Sequence, residues 1–275
     1  MTARVIFTVL KYLSLVVACV VTLLPLGVVL IASLKSKNEF ATSGPFDVPV
    51  NIFNVDNFVT AFIKGNMVQG LLNTSFILLV SLTGTILIGT MTAYAIDRFN
   101  FRGKTIVIGL FLIATLVPGV TTQVATFQIV NNLGLFNTLA APIVLFLGTD
   151  IVSIYIFVQF MSSIPKSLDE AAMLDGANRW TIYWRVVLPL LKPAIATVVI
   201  IRGIAIYNEF YIPFLYMPAA KLGTISTALF RFKGPFGAQW EVIAAGTILV
   251  IVPTLILFLF LQKYIYNGFI SGATK

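Results

Sequence analysis

Three ionisable side chains, Asp150, Arg202 and Glu209, interrupt stretches that are otherwise apolar. Unpaired and facing lipid at mid-bilayer, each costs on the order of 3 kcal/mol or more, so they must face the interior of a helical bundle. Two kinds of chemistry suit them. Asp150 with Arg202 can form an ion pair that holds two helices together. Glu209, with Tyr207, Asn208 and Tyr211 beside it, can offer hydrogen bonds and ring faces to a polar solute. Helical spacing puts Arg202 and Glu209 on one helix face, about 10 Å apart. On the residues alone, a structural pair and a solute path both stand.

A second constellation lies between Ile164 and Pro189. Ser167 followed by Glu170 is a capping-box spacing and predicts a helix that starts just after Pro165. Ala171 and Ala172 give that helix a small-residue surface on which another backbone can approach closely, and Gly176 offers a break. A short amphipathic piece from Trp180 to Leu188 follows and ends at Pro189. Such a helix–turn–helix fits a docking surface, and it fits equally an amphipathic segment anchored at the membrane face by two Trp.

The chain has 275 residues, 59% hydrophobic and 10% charged, with a net charge of +8. Soluble domains carry roughly a quarter charged residues, so a lipid environment is expected. The absence of His excludes His-based metal sites, His general bases and Ser-His-Asp triads. The single Cys19 excludes a disulfide framework. Neither GxSxG nor a GxxxxGK[ST] phosphate loop occurs, so the chain has no P-loop of its own. No soluble basic domain is long enough to read nucleic acid, and the charge fits basic loops at a membrane surface.

About 20 apolar residues in a helix span a bilayer, and six helices are expected. They lie at Tyr12–Leu34, from near Leu71 to Ile96, in two pieces between Thr105 and about Met161, from about Leu188 to Phe214, and at Val242–Gln262. Asn131, Asn132, Gly134 and Asn137 divide the long central run by their turn chemistry. The first span is too long for a signal-peptide core and is read as uncleaved. Pro25, Pro118 and Pro253 fall within helices. Ten basic residues (Arg4, Lys11, Arg98, Arg102, Lys104, Lys166, Arg179, Arg185, Lys263 and Lys275) fall inside and six (Lys35, Lys37, Lys64, Lys221, Arg231 and Lys233) outside. That asymmetry places both termini in the cytoplasm.

Glu170-Ala171-Ala172, three residues, Gly176, nine residues, Val186, one residue and Leu188-Pro189 resemble the EAA loop of ATP-binding-cassette (ABC) importer permeases, with Val186 where Ile is usual. Asp175, Ala177 and Pro193 resemble the carbohydrate branch, of maltose-permease type. Ala93-Tyr94-Ala95-Ile96-Asp97-Arg98-Phe99, Leu116-Val117-Pro118, Leu133–Thr138 and Tyr207-Asn208-Glu209-Phe210 resemble further family stretches. Gly268, Gly272 and Lys275 resemble the ending of the second permease subunit of the maltose type.

The resemblance implies an all-α, polytopic type I importer permease in the cell membrane, with cytoplasmic EAA coupling helices. Its parts would be an N-terminal helix and outer loop (1–70), a permease core (71–262) and a cytoplasmic tail (263–275). It implies pairing with a second homologous permease, two cytosolic ATPases docked on the EAA loops, and an extracellular solute-binding protein or lipoprotein that delivers a sugar. ATP and Mg would sit on the ATPases; this chain would bind no cofactor or metal and carry no catalytic residue. Glu170, Ala171, Ala172, Asp175, Gly176 and Pro189 would form the coupling surface, Glu170 bonding to basic groups on the ATPase. The tail at Gly268, Gly272 and Lys275 would reach between the ATPases, and Pro118, Tyr207, Asn208, Glu209 and Tyr211 would line the path. A permease for a non-sugar solute is the nearer alternative and a secondary carrier the more distant one.

Overall fold

The computed structural model describes residues 2–147, 150–234 and 237–273. In chain order they form α1 (Thr2–Leu34), α2 (Lys37–Thr42), α3 (Asp56–Lys64), α4 (Met67–Arg98), α5 (Lys104–Leu116), α6 (Gln123–Asn132), α7 (Ala140–Leu147) and α8 (Ile151–Ser162). There follow α9 (Ser167–Leu174), α10 (Arg179–Ile182), a π turn (Tyr183–Val187), α11 (Leu188–Leu190), α12 (Lys192–Asn208), α13 (Tyr211–Tyr216), α14 (Ile225–Ala228) and α15 (Trp240–Ala273). A two-residue antiparallel ribbon pairs Lys233 with Ala238 and Gly234 with Gly237.

Two helices, Val5–Leu34 and Met67–Arg98, are long and apolar enough to cross a membrane. The count among the described residues rises to four if each of two bent pairs is one span: Ala140–Leu147 with Ile151–Ser162, and Arg179–Leu190 with Lys192–Asn208. The bends are 43° and 69°. Lys104–Leu116 and Trp240–Ile256 are shorter apolar helices. The third expected helix is thus two pieces. Pro118 lies in the turn that separates α5 from α6, not inside a helix, because its ring and missing N–H end the ladder. Its carbonyl instead accepts from the Thr121 N–H and hydroxyl, at 3.0 and 2.7 Å.

The chain divides into two compact units, Met1–Val68 with Thr227–Leu255, and Gln69–Ser226 with Ile256–Lys275. In the first, the carbonyls left over at the end of α1 are met by Asn side chains: Asn54 donates to Leu34 O, and Asn57 to Ser33 O and Lys35 O. Lys35 is buried, and its Nζ donates to Ser43 Oγ and Gly44 O at 2.8 and 2.6 Å. It is a structural cation that closes the loop after α2. Ala61, Met67, Phe232 and Val242 form the small core.

The second unit holds the larger core, in which Ala93 and Tyr94 of α4 meet Phe157 and Met161 of α8, Ile182, Tyr183 and Val187 of the α10 run, and Leu191, Ala194 and Val198. Helices α4 and α8 approach closely at Gly89, where a Cβ would come within 2.9 Å of the Phe157 ring. At the turn between α6 and α7, Asn137 adopts a φ of 59°, donates its N–H to Tyr216 O and accepts from Ala219 N–H.

A capping box does form, at α2: Glu39 N–H donates to Ser36 Oγ, and Ser36 N–H donates to the Glu39 carboxylate. The Val50 N–H donates to the same carboxylate at 2.7 Å. The Ser36 and Val50 N–H groups hold the Glu39 pKa below its ordinary value. A lowered native pKa means the carboxylate supports the loop fully above its unfolded pKa, about 4.3. The support fades as pH falls through the native value. Exchange of the Val50 amide should therefore be slow and pH-independent in its opening step above about pH 5, rise in acid, and be fast at every pH in Glu39→Ala, which has no acceptor.

Candidate functional site

The loop after α8 folds as a short helix with defined ends. The predicted capping box at Ser167 is not formed: Lys166 is the N-cap, no side chain caps it, and Ser167 is already the first helical residue. Pro165 begins the turn one residue too early for Ser167 to serve. Asp169 and Glu170 instead lie in the first turn, where the helix dipole favours them by about 0.3–1 kcal/mol each.

The far end of α9 is closed by a Schellman arrangement, with Gly176 N–H donating to Met173 O at 3.0 Å and Ala177 N–H to Ala172 O at 2.9 Å. Gly176 has a φ of 82°, a left-handed conformation, with open space around its Cα. Asn178 then caps α10, accepting from Thr181 N–H at 2.8 Å. Pro189 has no N–H for the carbonyl one turn back, and the ladder upstream widens so that Leu188 N–H bonds Tyr183 O. Tyr183 is buried beside Tyr94, Trp180 and Trp184, and its hydroxyl shares a 2.8 Å bond with Thr90.

Glu170, Ala171, Asp175, Gly176 and Pro189 are exposed and Ala172 is half-buried. The α9 surface also presents Leu168, Met173 and Leu174, the last 89% exposed. Leu174 was not singled out by the sequence, since a lone Leu between the EAA and the Gly carries no pattern of its own.

Beneath this surface lies an ion pair that the sequence also hid. Arg98, the last residue of α4, and Asp169 have side chains only 2% and 3% exposed, and Arg98 Nε lies 2.8 Å from Asp169 Oδ2. The contact is close but not aligned as a hydrogen bond, so its attraction is mainly charge on charge. Arg98 Nη1 also reaches Asp97 Oδ2 at 2.6 Å, and Nη2 donates to Ile164 O at 3.0 Å. Removing one member of a buried pair costs about 3–5 kcal/mol, because the other charge is left in low dielectric.

In the bundle, Asp150 is the N-cap of α8, accepting from the Ser153 N–H and hydroxyl. Arg202 Nε lies 2.9 Å from Asp150 Oδ2, and Nη2 donates to Phe146 O at 3.3 Å. Glu209 does not share a helix face with Arg202. Helix α12 stops at Asn208, and Glu209 is extended, its carboxylate accepting from the Tyr211 and Ile212 N–H groups that open α13. The carboxylate thus starts the next helix in place of a capping Ser or Asp. Tyr207 is buried; Asn208 is exposed and donates to Ile204 O. The exposed Tyr211 hydroxyl accepts from Gln123, which begins α6 beyond the Pro118 turn, a partner with no signal in the sequence.

Of the tail residues, Gly268 and Gly272 continue the backbone of α15, while Lys275 lies outside the described residues. Substituting Gly176 tests the loop geometry directly. Forcing a Cβ into a left-handed residue costs about 1–2 kcal/mol, and no neighbour is close enough to add a clash. Gly176→Val should lower the thermal midpoint of the detergent-solubilised protein, and Gly176→Asn should do so less despite its size, because Asn tolerates this conformation.

Comparison with known proteins gives a consistent result. Residues 85–270 match the family described as binding-protein-dependent transport system inner membrane component. The probable starch degradation products transport system permease protein AmyC of Thermoanaerobacterium thermosulfurigenes is 30% identical over 271 residues, covering 96% of this chain and 97% of the relative. The melibiose/raffinose/stachyose import permease protein MelC of Bacillus subtilis (strain 168) is 30% identical over 267 residues, covering 96% and 95%. In fold, the chain is similar to a chain in a crystal structure of a bacterial ABC transporter involved in the import of the acidic polysaccharide alginate. The TM-score is 0.83 at 20% identity, covering 96% of this chain and 98% of that one. With the family match spanning most of its length, the chain belongs to the binding-protein-dependent transport inner-membrane component family.

Proposed function

We propose that this chain is one of two homologous permease subunits of an ATP-driven, binding-protein-dependent importer of di- or oligosaccharides. The observation that carries the coupling part of the reading is the surface of α9. Glu170, Ala171, Leu174 and Asp175 stand exposed on a helix whose two ends are fixed, beside the apolar Leu168 and Met173. An eight-residue helix that leaves so much apolar surface uncovered suits a protein partner. The partner in this reading is a cytosolic ATPase, which holds ATP and Mg, since this chain has no P-loop. The sugar class draws support from the solutes for which AmyC and MelC are named.

Six spans follow if α5 with α6, α7 with α8, and α12 are added to α1, α4 and α15. The positive-inside asymmetry supports cytoplasmic termini and puts α9 on the ATPase side. Closure of the ATPases around ATP moves α9 and turns the cavity outward, and hydrolysis resets it. The tail at Gly268, Gly272 and Lys275 adds a second contact to the ATPases. Asp150 with Arg202 ties α8 to α12, while Asn208, Tyr211 and Gln123, near the turn at Pro118, offer the polar groups a sugar needs.

Purification of the N-terminally tagged chain from gently solubilised membranes checks this reading. A second six-span permease and an ATPase should accompany it, and ATP hydrolysis by the complex should rise only with oligosaccharide-loaded binding protein. Loss of a charge-assisted bond worth about 1.5–3 kcal/mol corresponds to at least about a tenfold loss of ATPase recovered in Glu170→Lys. A chain that purifies without ATPase at low and at high salt would overturn the proposal.

A further inference from the structure

Among the eight residues of α9, the one buried side chain is an acid, Asp169. A surface helix normally holds its place with apolar residues; here only the half-buried Ala172, with Ala177 just beyond the helix, packs on the core. Small side chains of this kind give little resistance to sliding. The fixed point is Arg98, and it grips the segment twice, at Ile164 O ahead of Pro165 and at the Asp169 carboxylate in the first turn. Neither oxygen of Asp169 accepts a hydrogen bond from another described group. Any shift of α9 relative to the end of α4 therefore strips Asp169 of the one ion-pair partner it has among the described residues, in a dry site. The guanidinium fork is rigid and always charged, so it resists such a shift in more than one direction.

We infer that Arg98 and Asp169 form the joint through which displacement of α9 enters the long helix α4, making Arg98 a positioning residue for energy coupling. The inference rests on the importer reading above. Helix α4 runs 32 residues from Met67 to Arg98, so a push at its last residue is delivered along the whole helix. The joint predicts that docking and transmission are separable: the exposed face of α9 binds the ATPase, and the buried pair passes the motion on.

The test uses the complete complex in proteoliposomes with the double variant Arg98→Met, Asp169→Leu. Removing both charges while keeping volume avoids leaving Asp169 as a lone buried ion, and Asp97→Asn in the same background neutralises the other carboxylate that Arg98 holds. The expected result is a complex with ATPase at wild-type stoichiometry and basal ATP hydrolysis unchanged. Sugar moved per ATP hydrolysed should fall by about tenfold or more, and stimulation by loaded binding protein should be lost. Wild-type import per ATP in the double variant would overturn the inference, leaving the pair as a fold stabiliser. Loss of the ATPase from the variant complex would overturn it as well, assigning the pair to docking. A wild-type complex that moves no sugar under ATP would remove the importer reading instead, so the two failures are distinguishable.

Discussion

In hydrocarbon no water is available to bond a stray N–H or carbonyl, so every interruption of a helix must be repaired by the protein itself. The interior of this chain is organised around such repairs. Where α7 gives way to α8, Asp150 takes up the Ser153 N–H, and Arg202 meets both the Asp150 charge and the Phe146 carbonyl. Where α12 ends, the Glu209 carboxylate takes the Tyr211 and Ile212 N–H groups. Where α5 ends at Pro118, Thr121 serves the proline carbonyl. The polar residues of the apolar stretches are therefore largely occupied with the backbone at helix breaks. Groups left exposed nearby, Asn208 and Tyr211 with its Gln123 partner, are second users of the same irregular places.

The loop around α9 is repaired in the same way. Its outer face is shaped by conformation, through the left-handed Gly176 and the Asn178 cap, and its inner face is held by charge. Few apolar side chains anchor it, which leaves Leu168, Met173 and Leu174 uncovered. A loop packed more conventionally would have buried those residues. The stiffness that packing usually supplies comes instead from one guanidinium.

Much of this was legible in the sequence. Uncharged runs marked the long helices α1 and α4, because apolar composition over about 20 residues is a direct consequence of bilayer thickness. The Gly176 break and the Asn131–Asn137 turn followed from local chemistry. What failed was register and distance. Ser167 missed its capping role by one residue, and the same motif formed unannounced at Ser36 and Glu39. Glu209 was counted along a continuous helix that its own carboxylate helps to end. The Arg98–Asp169 pair joins residues far apart in the chain, and neither residue has a neighbour whose spacing advertises the other. In the basic-residue count Arg98 looked like an ordinary interfacial cation.

The π turn at Tyr183–Val187 carries a consequence for the packing of the chain. A π turn is an α-helical turn holding one residue more than its share. Tyr183 and Val187 both reach the core despite it, and the flanking Ile182 and Leu191 keep the same facing. The extra residue is thus accommodated within the turn. Its loss would return the turn to an ordinary α-helix with both flanks in phase. With Pro189 just beyond it, the widened turn lets the Leu188 N–H reach Tyr183 O while Tyr183 and Val187 both stay in the core.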